Sequence, residues 1–157
     1  MTMDNSKPSA TAHHAPGSNI AYLACPFTDA DRSIELRRYR NATKAAARLM
    51  EYRGMVVFSP ITHGHSVAAY LDGDKIHAWW MRQCMPFLEV ADALFVLAIP
   101  GWRESRGVTL EIEAAHNWAK PVSMSTNGHS WQPMPPDTVQ QALQRAAVVH
   151  ETCGVVL

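Results

Sequence analysis

The stretch GWRESRGVTLEIEAA, residues 101–115, carries two carboxylates, Glu111 and Glu113, just inside what its pattern marks as the start of a helix. A glutamate there can act as a nucleophile or as a general acid or base, provided it faces a cleft. Each helical residue advances about 100°, so the two glutamates lie about 200° apart and cannot share a face. Val108, Ile112 and Ala115 mark the side packed on a sheet, with Leu110, Ala114 and Trp118 covering the adjoining surface. Glu111 lies one turn after Gly107, on the side that can look over strand ends. Glu113 is expected to face solvent or another subunit. Gly101 and Gly107 bracket a turn in which Ser105 can cap the helix, so the amides at 105–108 offer an anion pocket with the positive end of the helix dipole behind it. Capping alone also accounts for Ser105 and Gly107, and two ordinary surface carboxylates account for Glu111 and Glu113. Taken by themselves, these residues leave both readings open.

Two further stretches hold groups that could touch a substrate: CPFTDAD at 25–31 and SPITHGH at 59–65. The first supplies Phe27 and Asp29, with Tyr22 just ahead of it. A buried phenol needs a polar partner, so Tyr22 has a stronger claim to a site than Phe27, for which core packing serves equally well. His63 and His65 flank Gly64, and such a pair ligates a metal only when a third ligand converges. No third ligand is found, so neither a metal nor any other cofactor is expected, and the two histidines are assigned to substrate contact or to loop composition. Trp79, Trp80 and Trp102 could line a ligand pocket or belong to the core or a subunit interface. Trp102 has the best claim of the three, because it sits in the loop that leads to Glu111. Asp92, ahead of an apolar run, can cap or orient the start of a strand.

The elements that must position these groups can be read from the apolar pattern. Residues 20–25 and 55–60 are short apolar runs, each ended by proline, and read as buried strands. Between them Leu36, Tyr39, Thr43, Ala46, Leu49 and Met50 recur at spacings of three and four, which makes one helical stripe over residues 32–53. Residues 93–99 form a third strand, 107–119 a second helix and 121–124 a fourth strand. Residues 75–90 are helical in pattern, with Pro86 expected to break or restart the helix after Cys84. Residues 137–150 form a last helix with Asp137 as its cap. Strands separated by helices imply parallel pairing with right-handed crossovers. The fold class is therefore α/β, a small doubly wound, flavodoxin- or Rossmann-like parallel sheet of about four to five strands flanked by helices. In such sheets ligands sit at the carboxyl ends of the strands where the winding reverses, which selects the loops at 25–31, 59–65 and 99–108.

The bulk numbers exclude several classes. The 157 residues suffice for one domain, placed at 19–157 and preceded by a Ser-, Ala-, Pro- and His-rich tail at 1–18 that is expected to be disordered. With 14 basic and 14 acidic side chains there is no overall field to gather polymeric nucleic acid or an anionic membrane. The basic run Arg37, Arg38, Arg40, Lys44, Arg48 and Arg53 reads as a solvated helix face. Cys25, Cys84 and Cys153 are too few and too scattered for a disulfide framework, which fits a reducing cytoplasm. The tail lacks an apolar signal core and no apolar run is long enough to span a membrane, so a soluble protein is expected.

The order YLACPF, then VFSPITHGH, then ADALFVL, then GWRESRGVTLEIEAA resembles the nucleoside 2-deoxyribosyltransferase-like superfamily, and within it a bacterial and phage branch whose function is uncharacterised. The resemblance covers residues 20–124. It rests on the ordered combination of an aspartate before the third strand, a serine-glycine turn after it and a glutamate four residues beyond that glycine. It implies that Glu111, not Glu113, attacks the anomeric carbon of a deoxyribosyl group to form a glycosyl-enzyme ester. It also implies that Asp92 stands near the site and that Tyr22 and the following loop contact the nucleoside. Transferases of the family carry a further acid about eight positions before the aspartate, where this chain has Cys84, and borrow a C-terminal segment from a neighbouring subunit that the tail GVVL does not match. The first departure implies a different activation of the leaving group, the second weighs against transfer more than against glycoside cleavage, and water is the expected acceptor.

The expected function is thus N-glycosidic cleavage of a small nucleoside or nucleoside 5′-monophosphate by a homo-oligomer. Glu111, Asp92 and Tyr22 would be catalytic. Phe27, Asp29, His63, His65, Trp102, Ser105 and Gly107 would bind substrate, with Arg103 or Arg106 near a phosphate or sugar hydroxyl. The alternative is a module of the same fold that binds or senses a nucleotide without turning it over; a protein-interaction surface with a vestigial cleft is a third reading.

Overall fold

A computed structural model describes residues 19–153, so the N-terminal tail expected to be disordered, the tail GVVL and the side chain of Cys153 lie outside the described residues. The elements run β1 (Ile20–Ala24), α1 (Arg32–Arg53), β2 (Val56–Phe58), α2 (Pro60–Ala68), α3 (His77–Val90), β3 (Ala93–Leu97), α4 (Arg106–Asn117), β4 (Val122–Ser125), β5 (Gln132–Pro133) and α5 (Pro136–Cys153). The sheet order is β2-β1-β3-β4-β5. β1 pairs in parallel with both β2 and β3, and β3 with β4, as the alternation of strands and helices predicts. This is the doubly wound, flavodoxin-like order, and its winding reverses between β1 and β3. Among the described strands only β5 runs antiparallel, pairing Met124 with Gln132. The link from β4 to β5 is too short to hold a crossover helix, so the last strand can only turn back.

Successive residues of β1 point to opposite faces. Ala21 and Leu23 pack with Ala42, Ala45, Ala46 and Leu49 of α1. Tyr22 and Ala24 pack on the other side with Leu88 of α3, Val108 and Ile112 of α4 and Ala142 of α5. Asp31 caps α1 by accepting from the Ser33 amide at 2.8 Å, and Gly54, at φ 59°, closes it in the left-handed conformation that glycine adopts without strain.

Four local expectations are corrected. The buried side of α1 is Arg38, Ala42, Ala45, Ala46 and Leu49, while Thr43 and Met50 are exposed. The stripe is thus rotated, because alanines allow the closest approach to the sheet. Arg38 does not belong to a solvated face: it is 8 % exposed, held by oxygen acceptors described below. SPITHGH is not a loop. Ser59 is extended and Pro60 stands at the first helical position, where its fixed φ and missing N–H cost nothing, so α2 begins there. Pro86 lies inside α3 without ending it; it is exposed, so water can reach the carbonyl that loses its partner. Among the described residues no helix is long and apolar enough to cross a membrane.

Candidate active site

The winding reversal puts the loop after β1 beside the loop after β3, and α4 starts from the latter. Ser105 caps α4, its Oγ accepting from the Val108 amide at 3.4 Å, and this fixes the phase of the first two turns. Val108, Leu110 and Ile112 then go inward, and Glu111 goes with them: it is only 5 % exposed. Its partner comes from the sheet. Tyr22 Oη donates to Glu111 Oε1 at 2.6 Å, a bond between residues 89 apart in sequence. Burying a carboxylate disfavours its charged form, and this raises the pKa of Glu111 to about 7, against the smaller downward pull of the Tyr22 bond. The Tyr22 phenol is pushed well above its ordinary value, by burial first and by Glu111 second, so it stays a donor. Cys84, on α3, feels the same carboxylate: burial and Glu111 push its thiol up to about 12. The site is therefore a buried carboxyl with a fixed phenol donor and a protonated thiol nearby.

His77, the first residue of α3, stands at the start of α4. Its Nε2 lies 3.6 Å from the point a Cβ would occupy on Gly107, and Ser105 Oγ lies 3.9 Å from the same point. The His77 pKa is lowered, by burial first and by the cationic Arg106 second.

The two loops flanking the reversal are tied together by Arg38. Its Nη1 donates to the carbonyls of Phe27 and Thr28 at 3.1 and 2.8 Å, its Nη2 donates to that of Pro100 at 3.1 Å, and Nη2 pairs with Asp29 Oδ2 at 3.2 Å. A guanidinium offers five donors in a rigid fork, which is what such a four-way clamp requires. Gly101 makes room for it: its φ is 92°, and a Cβ there would run into Arg38 Nη2.

The structure thus brings together Tyr22, Ser105, Gly107 and Glu111. It does not bring Asp92 to them. Asp92 precedes β3 at the amino edge of the sheet, where its Oδ2 accepts from the Ile20 amide at 2.7 Å and holds the start of β1, the opposite edge from the loops that bound the cleft. Asp29 is committed to Arg38. His63 and His65 are two apart on α2, and so point apart: His63 meets Phe58 at 5.7 Å between ring centroids, whereas His65 stacks on Tyr39 at 4.1 Å and meets the edge of Phe27 at 5.8 Å. Trp102 is 5 % exposed and packs in the core beneath the loop; Arg103 covers its ring at 4.5 Å. Around it Ile99, Gly101, Arg103, Glu104 and Thr126 border a shallow recess of about 390 Å³. Glu113 turns neither to solvent nor out of the molecule. Its Oε2 lies 2.7 Å from His150 Nε2 on α5.

Two residues at the site escaped the sequence reading, the buried Arg38 and His77, whereas the sequence already sets Cys84 at the place of the family's further acid. A buried position within the helical period of α1 was the signal available for Arg38. For His77 the sequence offered only a histidine at a helix start.

The chain matches the family model described as a domain of unknown function, DUF1937, over residues 19–127. No curated protein matches it. Among solved structures it is similar to a 2-deoxyribosyltransferase from the psychrotolerant bacterium Bacillus psychrosaccharolyticus, at 21% sequence identity over 67% of this chain and 70% of that one, with a TM-score of 0.45.

Proposed function

The chain belongs to the DUF1937 family, and from its site we propose that it cleaves the N-glycosidic bond of a nucleoside or nucleoside 5′-monophosphate with Glu111 as nucleophile. The observation that carries this reading is the 2.6 Å bond from Tyr22 to Glu111, which holds a buried carboxyl in one orientation one turn from a helix N-terminus. The ordered motifs from Tyr22 to Glu111 support it. As the carbon–nitrogen bond of the substrate breaks, positive charge develops on the sugar. A carboxylate fixed beside that carbon stabilises the charge and then bonds to the carbon, giving a glycosyl ester, while the base leaves with the electrons of the broken bond and takes up a proton from water. With a pKa of about 7, Glu111 gains its reactive charge as the pH rises through neutrality, and a cationic transition state beside it favours the same form. Water then attacks the ester, returning the carboxylate.

Ser105 and the first amides of α4 would meet a sugar hydroxyl or phosphate, and Arg106 adds positive charge at the same helix start. The reading extends to a homo-oligomer, supported by exposed apolar side chains at Tyr70 (91 %), Ile76 (72 %) and Val56 (55 %). The test is chromatography of free base released from deoxy- and ribonucleosides and their monophosphates, with and without an acceptor base, beside Glu111→Ala. Release that the substitution abolishes is the expected result. Release that survives it, or ligand-induced thermal stabilisation with no product, overturns the reading, the latter in favour of a nucleotide sensor.

A further inference from the structure

The nucleophile alone does not complete a hydrolytic cycle, because the water that resolves a glycosyl ester must lose a proton as it attacks. Tyr22 cannot take it: its phenol is already the donor to Glu111. Cys84 carries a buried, protonated thiol. Asp92 is held at the amino edge of the sheet.

Among the described residues, His77 is a titratable side chain that borders the start of α4 one turn below Glu111. Glu111 follows Gly107 by four residues, so the two positions are stacked on one helix face at about 5–6 Å. Helical side chains lean toward the N-terminus, and the space that a side chain on residue 107 would fill therefore lies directly under the Glu111 side chain. Gly107 leaves that space empty of protein. It is bordered by His77 Nε2 and Ser105 Oγ, 3.6 and 3.9 Å from the Cβ point. Among the described residues His77 makes no hydrogen bond or ion pair. It stands at the N-terminus of α3 and beside the N-terminus of α4, so two positive helix ends and Arg106 all oppose an imidazolium and leave its lone pair available.

We propose that His77 is the general base of the second half-reaction, taking a proton from a water placed in the gap over Gly107. The proposal rests on Glu111 being the nucleophile. In this step the water oxygen bonds to the anomeric carbon while the bond from that carbon to Glu111 breaks, its electron pair returning to the carboxylate. The water proton passes to His77 and from there to solvent. Ser105 Oγ, on the other border of the gap, orients the same water.

The experiment follows base release with a rapid-quench assay and the protein by intact mass, on the substrate that the wild type cleaves fastest. His77→Gln keeps size and hydrogen bonding but cannot carry the proton. It is expected to release about one equivalent of base per site in a burst, then to turn over roughly 100-fold more slowly than the wild type, as loss of a general base predicts. The mass of one sugar should remain on the chain, and the adduct should be absent from Glu111→Gln. His77→Ala should behave likewise and recover turnover when imidazole is added, which a merely structural role for His77 would not allow. A His77→Gln protein with wild-type turnover and no adduct overturns the role of His77 while leaving Glu111 in place. Cleavage by Glu111→Gln, or no base from the wild type, overturns the nucleophile and the present proposal with it.

Discussion

Replacing Glu111 by Gln tests the electrostatics of the site without any substrate. In the unfolded chain this carboxyl titrates near its ordinary value of 4.5, whereas in the folded protein burial holds it at about 7. The folded state therefore keeps a proton that the unfolded state has already lost. Below pH 4.5 both states are protonated and the group adds no penalty. As the pH rises from there through 7, stability is lost, and above 7 the loss levels off at roughly 3 kcal/mol, since each unit of displacement is worth about 1.4 kcal/mol. About 2–3 kcal/mol of it falls between pH 5 and pH 8. The Gln side chain accepts the Tyr22 hydroxyl in the same place but never ionises, so its curve lacks this component. His77, whose pKa is lowered, contributes with the opposite sign, gaining stability as the pH rises, but it is present in both proteins and cancels in their difference. Thermal unfolding followed by far-ultraviolet circular dichroism at pH 5, 6, 7 and 8 should show Glu111→Gln gaining on the wild type by about 10 °C across that range, at roughly 3–4 °C per kcal/mol for a chain of this size. Any fixed offset from the new amide appears already at pH 5. Two parallel curves would refute the argument, because they would mean that Glu111 is as easily ionised in the folded protein as in the unfolded chain.

Further outcomes follow from the same geometry. Tyr22→Phe removes the donor that lowers the Glu111 pKa, so the alkaline rise of base release should move to higher pH. The rate at pH 7 should fall about 10- to 100-fold, the worth of one hydrogen bond to a charged group. Gly107→Ala adds a methyl at ordinary contact distance from His77 and Ser105; urea denaturation should show a gain of about 0.5–1 kcal/mol from helix propensity, while base release falls about tenfold or more as the gap closes. Gly101→Ala forces a left-handed backbone on alanine and drives its Cβ into the Arg38 guanidinium. Urea denaturation should register a loss of about 3 kcal/mol, and a Gly101→Ala protein as stable as the wild type would remove the Arg38 clamp from the account. Equilibrium sedimentation should find more than one subunit per particle, the mass shrinking to a monomer when exposed Tyr70 and Ile76 are both changed to Ser.

What could be read in advance was local. The strands at residues 20–25 and 93–99 announced themselves because parallel strands buried on both faces are apolar throughout. The face of α4 that carries Glu111 followed from the helical angle and from the Ser105 cap, both properties of a dozen consecutive residues. The pairing of opposite-facing Glu111 and Glu113 with quite different surroundings, a buried phenol for one and His150 for the other, follows from that same angle.

Packing decided what local pattern could not. Seven basic residues along α1 look alike in sequence, yet Arg38 alone is buried, because the carbonyls that receive it come from residues 27, 28 and 100. The helical character of SPITHGH rested on a proline at a position where proline starts a helix as readily as it ends a strand. Asp92 precedes β3 and so stands at the amino edge of the sheet; the resemblance implied that it was near the site, and the structure instead gives it the Ile20 amide. His77 and Gly107 are 30 residues apart, and nothing in either neighbourhood points to the other. The sequence by itself determined the four parallel strands, the helices other than α2, the sheet's winding and the face on which Glu111 lies, since these depend on period and chirality along one stretch of chain. Only the tertiary structure decided which distant side chains share the site, since such contacts are set by how helices of particular shape and small-residue spacing settle on the sheet.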